Sequence, residues 1–242
     1  MQDREDPPFE LDENGLLPES GRLDEELLRL RDLPSAGMAL VLLGEPGTGK
    51  TTAFGQLTGA DAATVSPKPG QSGTVWVLGS ELTDLASFRE LIGDHLEALP
   101  RADSTGPFPT ALTIVLDQLD ESPMLARLSR RFQSALAAVD TRSLRLLIAC
   151  RSADYPTGLT GVLEQALDRC VVADLAPLTR ADVTTLATQV GVDGERFIRA
   201  VVDAGVGVLA NVPLTLRILV DAYRGSRTGE VAYSTVTSSR RL

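Results

Sequence analysis

The chain has 242 residues, 43% of them hydrophobic, enough to bury a substantial core and to carry one α/β domain with a smaller one appended. Its net charge of −10 is concentrated at the start, where residues 1–32 hold eleven Asp/Glu against four Arg. No run nears the eighteen or so uninterrupted apolar residues of a membrane span, and the acidic start is unlike a signal peptide, so the expected compartment is the cytoplasm.

Residues 1–36 read as an acidic leader in which Leu23, Leu27 and Leu30 recur at helical spacing. Met38 to Leu43 is a continuous apolar run, as expected of a strand buried on both faces of a parallel sheet, and it ends at Gly44. Helix is predicted from Thr51 to Leu57, a Pro/Gly/Ser-rich connection from Thr64 to Ser72 and a second strand from Thr74 to Leu78. Leu82–Leu99 carries Leu85, Phe88, Leu91, Ile92, His95 and Leu99 on one helical stripe. His95, the only histidine, borders that stripe and is read as structural. A loop over Arg101–Pro109 leads to a third strand, Ala111–Leu116, ending at Asp117. Leu125–Val139 is predicted helical, and Leu144–Cys150 is a fourth strand ending at Arg151.

Cys170–Ala173 is a fifth apolar run. Beyond it the pattern is helical only: Thr179 can cap a helix over Arg180–Val190, followed by Glu195–Ala204 and Pro213–Tyr223. The expected fold is thus an α/β core over 37–176, with a five-stranded, mainly parallel sheet flanked by helices, then a small helical domain over 177–224. A flexible tail over 225–242 completes it. Cys150 and Cys170 lack metal-ligand spacing and read as buried reduced thiols.

Gly44-Glu45-Pro46-Gly47-Thr48-Gly49-Lys50-Thr51 fits the phosphate-binding pattern G-x-x-x-x-G-K-[ST] between a strand and a helix, with Thr52 next in the helix's first turn. Glycines allow backbone N–H groups to turn toward phosphate, a helix N-terminus adds positive dipole, the lysine bridges phosphates and the threonine hydroxyl holds Mg²⁺. Lys50 is one of only two lysines, the other being Lys68. An acid ending an apolar strand brings a carboxylate beside that metal, which assigns Asp117 to Mg²⁺. Asp120 and Glu121 follow within one short turn, where either can orient the attacking water. Arg151, ending the next strand, lies within reach of the γ-phosphate or of those acids.

The order strand–GEPGTGKT–helix, strand–VLDQLDE and strand–IACRSADYP, then Leu175-Ala176-Pro177-Leu178-Thr179 and a helical domain with Asn211-Val212-Pro213-Leu214-Thr215-Leu216, resembles the STAND class of NTPases. Within it the chain looks like the NACHT-like branch and its bacterial antiviral members, over about residues 36–224. That resemblance implies ATP on Gly44–Thr51, magnesium on Asp117, hydrolysis served by Asp120 or Glu121, γ-phosphate sensing by Arg151 and adenine packing on Pro213. Proline is also a routine helix starter. Gln118 stands where the family usually has a small residue.

The implied function is a nucleotide switch: ATP between the α/β core and the helical domain holds one arrangement, ADP another, and the difference gates self-association or contact with a partner protein. STAND proteins also carry an effector and a long sensor, and neither fits beside the switch in this length, so the chain is read as a fragment or as one supplied by partners. Two alternatives use the same loop. A small-molecule kinase needs an acceptor site and usually an arginine-rich lid, and an AAA-type nucleic-acid loader needs a basic stripe; the sequence offers neither lid nor stripe.

Overall fold

In the computed structural model the described residues are 10–18, 30, 33, 36–101 and 111–225. The Leu23/Leu27 periodicity, the loop over 102–110 and the tail from 226 lie outside them. Two compact units emerge. One is drawn from Arg29–Pro46 and Lys50–Leu175, the other from Met1–Leu28, Gly47–Gly49 and Ala176–Leu242.

The first unit is built on five parallel strands: β1 (Met38–Leu43), β2 (Gly73–Leu78), β3 (Leu112–Asp117), β4 (Leu144–Ala149) and β5 (Arg169–Asp174), in the order β2-β3-β4-β1-β5. The continuous apolar runs are central strands, and β4 is buried at every residue. β5, at an edge, shows a mixed pattern, with Val172 exposed. Because all strands run the same way, the residues following β1, β3 and β4 are delivered to one edge of the sheet. That edge is where parallel α/β sheets place their ligands.

One sheet face packs Val41, Val75, Ile114, Leu146 and Ile148 against a helical layer. It comprises α2 (Leu85–Phe88), α3 (Asp94–Glu97), α4 (Leu125–Leu136) and α5 (Thr157–Ala166), with Phe88 edge-on to Phe132 at 5.4 Å. A π-helical turn, Arg89–Gly93, joins α2 to α3, so the single helix predicted over Leu82–Leu99 is shorter and wound more loosely at its middle. His95 is buried at 6% exposure, and burial holds its imidazole below the usual histidine range, which favours the neutral, structural form. The opposite face packs Met38, Leu40, Leu42, Trp76, Val115 and Leu147 around Phe54 of α1 (Lys50–Thr58).

The helical unit contains α6 (Arg180–Gln189), α7 (Gly194–Asp203), α8 (Gly207–Ala210) and α9 (Pro213–Gly225). Thr179 caps α6 as its sequence suggested: its hydroxyl accepts from Asp182 N, and its own N–H donates to Asp182 Oδ2 at 2.8 Å. Phe197, Ile198, Val201, Leu216 and Leu219 form the core.

That core is completed by part of the acidic leader. Asp12 accepts from Asn14 N and Leu16 N, tightening a turn that drives Leu16 into the cluster. Leu17 O then accepts from Arg180 N at 2.9 Å, Gly15 O accepts from Asn211 Nδ2 at 2.9 Å, and Leu16 and Leu17 are both fully buried. Burial of two leucines contributes about 3–5 kcal/mol in transfer terms. The stretch 12–17 is a strap of the helical unit.

Candidate functional site

The phosphate-binding loop leaves β1 at Leu43 and enters α1 at Lys50. Gly44, Gly47 and Gly49 have φ of 129°, 85° and 98°. A side chain at these three positions would be strained, so the glycines of the motif are required by the backbone path itself. The Lys50 ammonium donates to the carbonyls of Gly44 and Glu45, the latter at 3.0 Å, and so lies over the mouth of the loop. Glu45 and Pro46 are exposed, and Thr52 lies exposed in the first turn of α1.

α1 lies over β3 and β4, which carries Thr51 to the strand-end acid. Thr51 Oγ1 donates to Asp117 Oδ1 at 3.1 Å, and Gln118 N donates to the same oxygen at 3.0 Å. Asp117 is 2% exposed. Burial pushes its carboxyl above the usual carboxylate range, against the bonds from Thr51 and Gln118 and the field of Lys50. A buried carboxylate so weakly compensated, beside a hydroxyl, suits a hard cation with oxygen ligands. Among the described residues no group of three or more His, Cys, Asp or Glu gathers to cage a metal. The donor set therefore fits magnesium held by one hydroxyl, one carboxylate, phosphate oxygens and water, and does not fit an all-protein metal centre.

The turn after Asp117 depends on two residues. Gln118 is left-handed (φ 54°, ψ 45°), the one non-glycine with positive φ among the described residues. Its carbonyl presses on Gly79, at the end of the neighbouring β2, where a Cβ would collide with that oxygen. Gly79 was not singled out from the sequence. The strand-final Leu78-Gly79 could have flagged it, but only the pairing of β2 with β3 shows which backbone needs the space.

This turn sets Asp120 beside Arg151. Arg151 N donates to Asp120 Oδ1 at 3.1 Å and Arg151 Nε lies 2.9 Å from Oδ2, so the end of β4 grips the end of β3 through one carboxylate. Asp120 is 8% exposed at its side chain and Arg151 47%. Glu121, in the same short turn, is exposed. Cys150, next to Arg151, is fully buried, and burial with the charges of Asp120 and Asp154 pushes its thiol up to about 12. It is a neutral core group and no nucleophile.

Pro213 opens α9, and the tip of the loop, Gly47–Gly49, falls in the same unit as that helix. Leu214 N donates to Gly47 O at 3.2 Å, and a Cβ on Gly49 would stand 3.5 Å from Pro213 Cγ. The structure thus brings together Lys50, Thr51 and Asp117, then Asp120 and Arg151, and within the helical unit the loop tip and Pro213.

A five-stranded parallel sheet with this loop after β1 and the acid after β3 is the fold of a P-loop NTPase. Solved structures similar to the chain include Cdc6p from Pyrobaculum aerophilum, 17% identical, with a TM-score of 0.45 over 87% of this chain and 59% of that one. Another is a RuvB mutant from Thermotoga maritima, 16% identical, TM-score 0.43, over 82% and 57%. The chain spans less than two thirds of the length of either. No protein-family model and no curated protein matches it. No helix among the described residues is long and apolar enough to cross a membrane.

Proposed function

We propose that this chain is the ATP-binding, slowly hydrolysing switch module of a NACHT-like STAND protein, working in signalling or antiviral defence within a larger assembly. The observation that carries nucleotide binding is the Thr51–Asp117 hydrogen bond at the foot of a glycine-strained loop whose lysine lies over its mouth. In this reading Gly44–Thr51 and Thr52 cradle the phosphates and Lys50 trades its two carbonyls for β- and γ-oxygens. Thr51 and Asp117 hold Mg²⁺, which neutralises phosphate charge.

Asp120 or Glu121 orients the attacking water, and the burial of Asp120 against the exposure of Glu121 favours Asp120. Arg151 reports on the γ-phosphate. Its pairing with Asp120 supports a coupled role, because that carboxylate holds the guanidinium through Nε and so orients the Nη groups that would meet phosphate. Pro213 packs on adenine. The loop tip falls in the same compact unit as α9, and in this reading ATP and ADP hold the loop differently.

The test is calorimetric binding of ATP and ADP, with Mg²⁺, to the wild type and Lys50→Ala. Loss of two charge-assisted phosphate contacts lowers ATP affinity by about a hundredfold. Unchanged affinity would sink the assignment. The switch is tested separately by sedimentation of the chain with ATP and with ADP: assembly with ATP alone supports it, and identical profiles remove it.

A further inference from the structure

Arg145, the second residue of β4, is 8% exposed. Its guanidinium makes no hydrogen bond and no ion pair among the described residues; Nε is enclosed, whereas the two Nη groups keep some surface. Burial holds it below the usual arginine range, and no carboxylate offsets that. A buried charge is costly unless it is paired, and an arginine this enclosed is almost always paired. Ser143 Oγ, two residues earlier, is likewise buried without a partner.

Strand register defines its neighbours. Arg145 pairs with Thr113 of β3 on one side and with Met38 of β1 on the other, and Met38 pairs in turn with Arg169 of β5. Val115, Leu147, Leu40 and Val171 pack in one layer; side chains alternate along a strand, so Thr113, Arg145, Met38 and Arg169, each two residues earlier, lie on that same face. Arg169 is exposed, and its guanidinium too forms no ion pair among the described residues. Two strand spacings, about 10 Å, separate the backbones of the two arginines, within the combined reach of their side chains. The acids nearby are engaged elsewhere: Asp140 accepts from Arg142 Nε at 3.0 Å, and the charge of Asp168 acts on Arg142.

We propose that Arg145 and Arg169, with Thr113 beside them, form an anion site at the amino edge of the sheet, for a small carboxylate or phosphate that meets Arg145 through its Nη groups. The planar fork of a guanidinium matches two oxygens of either group. Position separates this site from the phosphate loop: Met38 and Leu43 are opposite ends of β1, about 16 Å apart, and the loop begins beyond Leu43. It shares no residue with the loop, with the Thr51–Asp117 pair or with the Asp120–Arg151 grip, so it stands whether or not the loop binds nucleotide.

The test is thermal melting of the full chain in sodium chloride, with phosphate, acetate or malonate added and ionic strength matched by chloride throughout. At about 10 mM, at least one of these ions raises the melting temperature by about 3 °C, the mass-action effect of a Kd of about 1 mM. Which ion acts tells carboxylate from phosphate. The rise persists in Lys50→Ala, whose loop has lost its lysine, and disappears in Arg145→Met. In chloride alone Arg145→Met melts at or above wild type, because an apolar chain has replaced a buried unpaired charge. Should Arg145→Met fail to fold, Arg169→Gln, at an exposed position, must weaken the same ion by about threefold instead. The proposal is overturned if no ion exceeds matched chloride, if Lys50→Ala abolishes the rise, or if the arginine variant tested keeps it in full. The Lys50→Ala arm keeps an ion seated in the phosphate loop separate from one at Arg145.

Discussion

Asp117, in the α/β unit, and Asn211, in the helical unit, are both polar and almost wholly buried, at 2% and 4% exposure. Asn211 is spent on architecture: its amide ties down the strap at Gly15 O, its backbone carbonyl accepts from Leu178 N, and the Oδ1 left without a partner is neutral. Asp117 is a carboxyl whose burial outweighs the bonds it accepts. Leaving an amide oxygen unmatched costs far less than leaving a charge unmatched. The helical unit therefore uses buried polarity to join chain segments, whereas the carboxyl edge of the sheet stores an electrostatic deficit that a cation can relieve.

The largest effect expected to probe this contrast comes from one substitution in each region. Gly79→Ala drives a methyl into the Gln118 carbonyl, and Gly207→Ala drives one into the carbonyl of Asn14 in the strap. Both clashes are with backbone, which cannot rotate away, and each costs about 3 kcal/mol by urea denaturation. Their functional readouts part. Gly79→Ala displaces the turn that holds Asp117 and Asp120 and lowers Mg²⁺–ATP affinity at temperatures where the protein remains folded. Gly207→Ala leaves that affinity within about twofold. Equal loss of affinity in both variants would break the contrast, because buried polarity in the helical unit would then serve the nucleotide as well.

A smaller effect of opposite sign is expected at Asp117. Its native pKa is raised, so between the ordinary carboxylate value and the raised one the folded state holds a proton that the unfolded chain has released. Stability contributed by the neutral acid is present below that window and lost as pH rises through it. Asp117→Asn keeps an oxygen for Thr51 and Gln118 but carries no charge. Its melting temperature exceeds wild type by about 2–4 °C at pH 7, equivalent to about 1 kcal/mol, and the gap closes toward pH 4. The same variant loses the Mg²⁺ dependence of ATP binding. A variant less stable than wild type at pH 7 would show that Asp117 is well compensated within the protein.

How far these features are legible in the sequence follows from how local their causes are. Strand β1 is found at its predicted bounds, Met38–Leu43, and the Thr179 cap needs only its neighbour Asp182. Helix α5 has no counterpart in the sequence reading because Gly158 and Gly161 dilute its pattern, although Leu159 and Leu163 are buried one turn apart. The strap is hidden for another reason: its leucines sit in a charged leader, and their partners lie some 160 or more residues away. In the site, the loop and Asp117 follow from adjacency to apolar runs. The Asp120–Arg151 grip requires knowing that β3 and β4 are neighbours, and the left-handed Gln118 requires knowing that Gly79 makes room for it.

The smallest expected effect lies in that grip. Arg151 is nearly half exposed, so solvent screens the pair, and Asp120→Asn retains an oxygen for Arg151 N; the loss in stability stays below about 1 kcal/mol. Hydrolysis decides what the pair is for. If Asp120 orients water, Asp120→Asn lowers the ATP turnover rate by about a hundredfold with binding unchanged, whereas Arg151→Ala, which leaves the carboxylate in place, lowers it less. If Asp120 only braces Arg151, both variants fall equally and the double variant falls no further. The second pattern would make Asp120 the counterpart of Asn211, a buried group used for architecture, and would leave the chemistry of the sheet edge to Lys50, Thr51, Asp117 and Arg151.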